Sequence, residues 1–241
     1  MRHRARFIVT MAAAVAFVGG CADGPGPTPR QEAGSGAESS VEALDKVRGA
    51  AATMMRTSFA YRETFGSDDR SFIEGVVHRP SQGTTMKMSL TVEDAGTSVT
   101  DHVRIGVAGW GRVYTEFDNM EMPVPPWNEL PAATLAEPLL RNVSGGAFLV
   151  GEKLFAGVRD VRETAPGTYT GIIDITGFPG VGLMDPRLTG KLGERAKTVP
   201  LTVSLDAAGR ITGIVFDVPE HPMVVAFSDF DDVPAPTRPK T

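Results

Sequence analysis

The sequence predicts an α+β fold, a single domain in which one large antiparallel sheet carries a few helices, and three observations support this. Residues 198–236 read as a meander: Leu201, Val203 and Leu205 alternate with Thr202 and Ser204, Asp206 to Arg210 supplies turn chemistry, 211–218 runs back, and 223–227 forms a third short strand. Residues 84–92 give the cleanest alternation in the chain, with Met86, Met88, Leu90 and Val92 on one face and Thr85, Lys87, Ser89 and Thr91 on the other. The 27 glycines and 18 prolines, spread between short alternating segments, favour strands and turns over a helical bundle. With 241 residues, 41% hydrophobic, the chain is long enough for one sizeable core.

From the N-terminus, Arg2, His3, Arg4 and Arg6 precede an apolar run at 7–18 that is short for a bilayer span, the pattern of an export signal over residues 1–20. Val18-Gly19-Gly20-Cys21 follows, small residues before the sole cysteine, which resembles a bacterial lipobox and marks Cys21 for lipid attachment. That places the protein outside the cytoplasm, held to the outer leaflet of the plasma membrane by acyl chains on Cys21. Residues 21–40, rich in Gly, Pro, Ser and Glu, cannot bury enough apolar surface to order themselves and read as a flexible tether. The formal charge is −5; without Arg2, Arg4 and Arg6 it is 21 basic against 29 acidic residues, −8. Such a surface has no overall attraction for phosphate backbones, so no nucleic-acid partner is expected.

Ser39 or Ser40 can cap a helix that runs to about residue 56, with Glu42 near its start and Val41, Leu44, Val47, Ala51, Met54 and Met55 at helical spacing. Strands are expected at 58–65 and 72–78, around the turn residues 66–69. After 84–92 and a turn at 93–96, Val103, Ile105 and Val107 alternate with His102, Arg104 and Gly106; Gly109-Trp-Gly111 reads as a tight connection to the strand carrying Val113, Thr115 and Phe117. One face of these strands is expected to be apolar and the other wet. Residues 120–131 hold too much proline for a central strand or helix interior and form an irregular excursion around Trp127. Short helices are expected at 132–143, 146–155 and 186–195, with a hairpin of 159–163 and 169–176 turning at Ala165-Pro-Gly167. Both faces of 211–218 carry apolar side chains, Ile211 and Val215 on one, Ile214, Phe216 and Val218 on the other.

The lipobox, the tether, the first amphipathic helix, the long sheet interrupted midway by helices, the Gly167-Thr-Tyr169-Thr-Gly171 hairpin, the Pro200 to Arg210 hairpin and the Phe227-Ser-Asp-Phe230 ending together resemble the LppX/LprA/LprF/LprG family of actinobacterial lipoproteins, whose fold is related to the LolA/LolB lipoprotein carriers. The resemblance covers about residues 40–236 and departs at Asp231-Asp232, where a glycine and a basic residue are expected, and at the Pro-rich excursion. It implies a strongly curved antiparallel half-barrel wrapped around several helices at 41–236, with 237–241 a disordered tail. It also implies an apolar cavity that binds acylated lipid or glycolipid and carries or presents it in the cell envelope. Met86, Met88, Leu90, Val103, Ile105, Val113, Phe117, Leu139, Phe148 and Ile173 are the lining residues expected on that basis, with Trp127, and Phe117 at its edge, at the mouth. A methionine row suits variable apolar contents, although such a row is also ordinary core.

No enzyme chemistry is legible. His78, His102 and His221 are scattered without metal-ligand spacing and read as surface or loop residues; the glycines lack dinucleotide-loop spacing; no Gly-x-Ser-x-Gly elbow occurs. Asp229, Asp231 and Asp232 read as a solvated terminus rather than a cation loop. No cofactor or metal is expected. The alternative to a lipid carrier is a non-catalytic envelope lipoprotein with a filled core that binds another exported protein or acts as a sensor subunit.

Overall fold

The computed structural model describes residues 40–66, 70–92, 96–117, 122–136, 152–176, 190–219 and 221–241. The predicted signal, Cys21 and tether lie outside the described residues, as do most of the helices expected at 132–143, 146–155 and 186–195. Helix α1 (Ser40–Met54) turns Ala43, Val47, Ala50, Ala51 and Met54 into the core, the stripe that its sequence spacing predicts. Glu42 in its first turn suits the positive helix end. At its C-terminal end the Arg79 guanidinium donates to the oxygen of Met54 (3.3 Å), the last helical residue, and to that of Thr57 (3.2 Å) just beyond it.

The chain then lays down β1 (Phe59–Phe65), β2 (Phe72–His78), β3 (Gly83–Val92), β4 (Gly96–Ile105), β5 (Ala108–Glu116) and the two-residue β6 (Asn128–Glu129) as one meander. Helices α2 (Ala132–Leu135) and α3 (Glu152–Ala156) follow, then β7 (Val158–Ala165), β8 (Thr168–Ile173), a 3₁₀ turn at Gly193–Lys197, and β9 (Val199–Leu205), β10 (Ile211–Phe216) and β11 (Met223–Ser228). The two meanders fuse where the first strand pairs antiparallel with the last, Tyr61 opposite Phe227 and Glu63 opposite Val225. The product is one open eleven-stranded sheet, ordered β6-β5-β4-β3-β2-β1-β11-β10-β9-β8-β7 and not closed into a barrel. Register shifts in the β7–β8 and β9–β10 pairs bend it, consistent with the curved half-barrel expected.

α1 packs on β7, β10 and α3, over the C-terminal half of one face, here the helix face. Phe59 and Phe227 meet edge to face at 5.4 Å in the core under it. The register shift between Ile211 and Gly213 accounts for the two-faced apolar strand: Ile211, Ile214 and Phe216 are all buried, because the extra residue returns Ile211 to the same side. Gly109 and Gly111 do not form the turn expected of them. The turn falls at 106–107, and both glycines lie within β5, where a Cβ would meet Leu135 and Leu130 respectively. Residues 237–241 are described, with Arg238 stacked 5.4 Å from the Trp110 ring and 3.9 Å from the Glu129 carboxylate.

Candidate functional site

Antiparallel register fixes which side chains share a face, since residues directly opposite project to the same side. On the helix face of β1–β5, one row reads Phe59, Val77, Thr84, Arg104, Gly109; the next Tyr61, Gly75, Met86, His102, Gly111; the next Glu63, Ile73, Met88, Thr100, Val113. Leu90, Ser98 and Thr115 continue the pattern toward the β3–β4 turn, where the Phe117 ring lies against Gly96. Two properties meet here. Met86 is buried, while Leu90 (39%), Val113 (64%) and Phe117 (39%) are exposed, so an apolar strip runs from the interior to solvent. Beside it lie four polar side chains, Tyr61, Glu63, Thr84 and His102, each only 1–4% exposed.

Those four carry Tyr61 Oη, Glu63 Oε2, Thr84 Oγ1 and both ring nitrogens of His102, and among the described residues none of these atoms has a hydrogen-bond partner. Desolvation decides their charge. Burial pushes the Glu63 carboxyl up to about 8, so it is protonated at neutral pH. Burial, with the Arg104 charge adding to it, lowers His102 to about 4 and keeps the imidazole neutral. Burial and then the Glu63 charge raise the Tyr61 phenol above its ordinary value.

The opposite face is built differently. Arg62, Glu74, Lys87, Asp101 and Arg112 stand directly opposite one another across β1–β5, a ladder of alternating charge. Arg62 pairs with Glu74, and Arg112 Nε donates to Asp101 Oδ2 at 2.7 Å. The Arg112 guanidinium lies 4.5 Å from the Trp127 ring, which helps wall a groove of about 500 Å3 over this ladder. Pro236 of the C-terminal segment packs where a Gly83 Cβ would project.

The structure therefore divides the expected lining residues. Met86, Met88 and Leu90 line up along β3 on the helix face, and Val113 and Phe117 share that face on the far side of Thr100 and Ser98 of β4. Val103 and Ile105 do not join them: opposite Thr85 and Gly83, they lie on the other face, because β4 is paired one residue out of phase with an all-apolar helix face. Ile173 sits on β8 in the core of the C-terminal half, Trp127 belongs to the charged groove, and Leu139 and Phe148 lie outside the described residues. His102, expected at the surface, is buried. Sequence reasoning missed the polar cluster, although one signal was present: Glu63 has the parity of Phe59 and Tyr61, a carboxyl on the apolar side of a strand. Among the described residues no group of three or more His, Cys, Asp or Glu side chains could hold a metal ion, and no helix is long and apolar enough to cross a membrane.

No protein-family model matches the chain, and no curated protein matches it in sequence. In structure it is similar to the lipoprotein LppX of Mycobacterium tuberculosis, at 18% identity and TM-score 0.46, over 84% of this chain and 100% of that one. It is similar also to LprF of Mycobacterium bovis, at 14% identity and TM-score 0.48, over 85% of this chain and 100% of that one. A LolA-superfamily protein of Nitrosomonas europaea overlaps at 10% identity and TM-score 0.29, over 82% and 94% of the two chains. The chain's structural neighbours are thus actinobacterial lipoproteins and a LolA-superfamily protein, the group that its sequence resembles.

Proposed function

We propose that this chain is an exported lipoprotein, anchored through a lipidated Cys21 to the outer leaflet of the plasma membrane, that binds acylated lipid or glycolipid against the helix face of β2–β5 and carries or presents it in the envelope. The supporting observation is the apolar strip from buried Met86 through Met88 to exposed Leu90, Val113 and Phe117. Exposed apolar surface of this kind forfeits about 25 cal/mol for every Å2 left in water, and an acyl chain laid along it recovers that energy. Methionines suit the inner end because an unbranched, polarisable side chain adapts to chains of different length. No covalent step is involved: the ligand moves from one apolar environment to another at little net cost.

The full chain carrying Cys21→Ser, stripped of lipid and offered long-chain lipid, takes it up in native mass spectrometry if this reading is right. Leu90→Asp with Val113→Asp lowers uptake at least tenfold. No uptake of any long-chain lipid sinks the reading. The anchor is tested separately: the unsubstituted chain fractionates with membranes and carries the mass of an acylated N-terminus, and Cys21→Ser removes both.

The second reading, binding of another exported protein, draws on Met122 (53% exposed) and Val124 (51% exposed), apolar residues held out by the Pro-rich excursion beside the charged groove. On that reading Met122→Ser with Val124→Ser abolishes complex formation with the partner and leaves lipid uptake irrelevant to it.

A further inference from the structure

The apolar strip explains where an acyl chain would lie, and leaves the polar cluster beside it without a role. Tyr61, Glu63, Thr84 and His102 come from three strands, two from alternate positions of β1 and one each from β3 and β4, and they occupy three adjacent rows of one face. Between Tyr61 and His102 in their shared row stand only Gly75 and Met86, so the cluster spans three strand spacings, about 14–15 Å. Five polar atoms in it lack partners among the described residues. Each such atom is destabilising when buried unpaired, and folded proteins hold few of them. Five on one face, next to an apolar strip that reaches solvent, is the pattern of a site whose hydrogen bonds are completed by something bound.

The chemistry of that occupant follows from the inventory. Hydroxyl, phenol, neutral imidazole and protonated carboxyl each offer both a donor and an acceptor, and none carries charge at neutral pH. Among the described residues of β1–β5 the cation on this face is Arg104, which donates Nε to the Gly106 oxygen at 3.0 Å and has further partners of its own. An ionic head would enter without a free counter-charge; a group with both hydroxyls and carbonyls would match.

Building on the lipid-binding reading, we infer that Tyr61, Glu63, Thr84 and His102 form the polar end of the ligand site and hydrogen-bond the uncharged, hydroxyl- and ester-bearing head of an acylated ligand, a glyceride or an acylated sugar. The acyl chain then runs along Met86, Met88 and Leu90 toward the exposed end.

The test uses the lipid-stripped full chain carrying Cys21→Ser and three probes that share one cis-9 C18 chain: 1-oleoylglycerol, cis-9-octadecene and oleoyl lysophosphatidate. Affinities are read by displacement of a fluorescent acyl probe. The inference expects 1-oleoylglycerol to bind at least tenfold more tightly than either of the others, and Tyr61→Phe with Thr84→Val to bring the ratio of glyceride to octadecene affinity down toward one. It also expects those two substitutions to leave the Tm of the unliganded protein level or raised, because they delete buried atoms that have no partner. Equal affinity for glyceride and octadecene, a preference for the phosphate, or an unchanged ratio in the double variant overturns the inference while lipid binding stands. Binding of none of the three overturns the lipid-binding reading itself.

Discussion

Glu63 gives the sharpest physical prediction, because its burial makes folding sensitive to pH. The carboxyl titrates at about 8 in the folded chain against an ordinary value of 4.5. Between those two values the unfolded chain has lost a proton that the folded chain keeps, so stability falls as pH rises from about 4.5 to about 8. At about 1.4 kcal/mol per unit, the full loss is roughly 5 kcal/mol, absent below pH 4.5 and complete above pH 8. His102 works in the other direction. Its folded value of about 4 lies below the ordinary 6.5, so stability falls by roughly 3 kcal/mol as pH drops from about 6.5 to about 4. The two slopes cancel between pH 4.5 and 6.5, and the Glu63 contribution stands alone from 6.5 to 8. Urea unfolding followed by Trp fluorescence at pH 5, 6.5 and 8 should therefore show the wild type losing about 2 kcal/mol from this group over the last interval. Glu63→Gln, which cannot ionise, should lack that loss, and its stability relative to the wild type should rise steadily from pH 5 to 8. An identical fall between pH 6.5 and 8 in wild type and Glu63→Gln would refute the assignment of a buried, protonated carboxyl.

Three further outcomes are expected. Gly75→Ala places a Cβ against the Thr85 carbonyl of the neighbouring strand, which as backbone cannot move aside; urea unfolding should show a loss of about 3 kcal/mol or more. Phe59→Ala removes a fully buried ring that meets Phe227 edge to face, and should cost about 3–5 kcal/mol by the same measurement. Asp231 clamps the C-terminal segment by accepting from the Ser58 amide at 3.0 Å while its own amide donates to the Ser58 oxygen at 2.8 Å, at a φ of 60°. Asp231→Ala should therefore lower stability by about 1–2 kcal/mol and speed proteolysis beyond residue 230, whereas Asp231→Asn, which keeps the acceptor and tolerates that backbone, should change little.

Sequence alone determined the elements. Period-two alternation placed β2, β3, β9, β10 and β11 within a residue or two, since a half-buried strand has to write its two faces into neighbouring positions. Helix α1 was legible for the same reason at a period of 3.6. The Met86, Met88 and Leu90 row followed directly from one strand. What lay beyond a single strand did not follow. Alternation puts Val103 and Ile105 on one face of their own strand and says nothing about phase between neighbours; the pairing of Met86 with His102 decides that this is not the methionine face. The tertiary structure likewise turned Gly109 and Gly111 from a turn into strand positions beneath Leu130 and Leu135. Asp231, legible only as a solvated acid, became a clamp on Ser58, 173 residues away. The polar cluster is the clearest case: Glu63 stands out in its own strand only by sharing the parity of Phe59 and Tyr61, Thr84 and His102 do not stand out at all, and register and burial, properties of the assembled sheet, bring them to one face and strip them of water and charge.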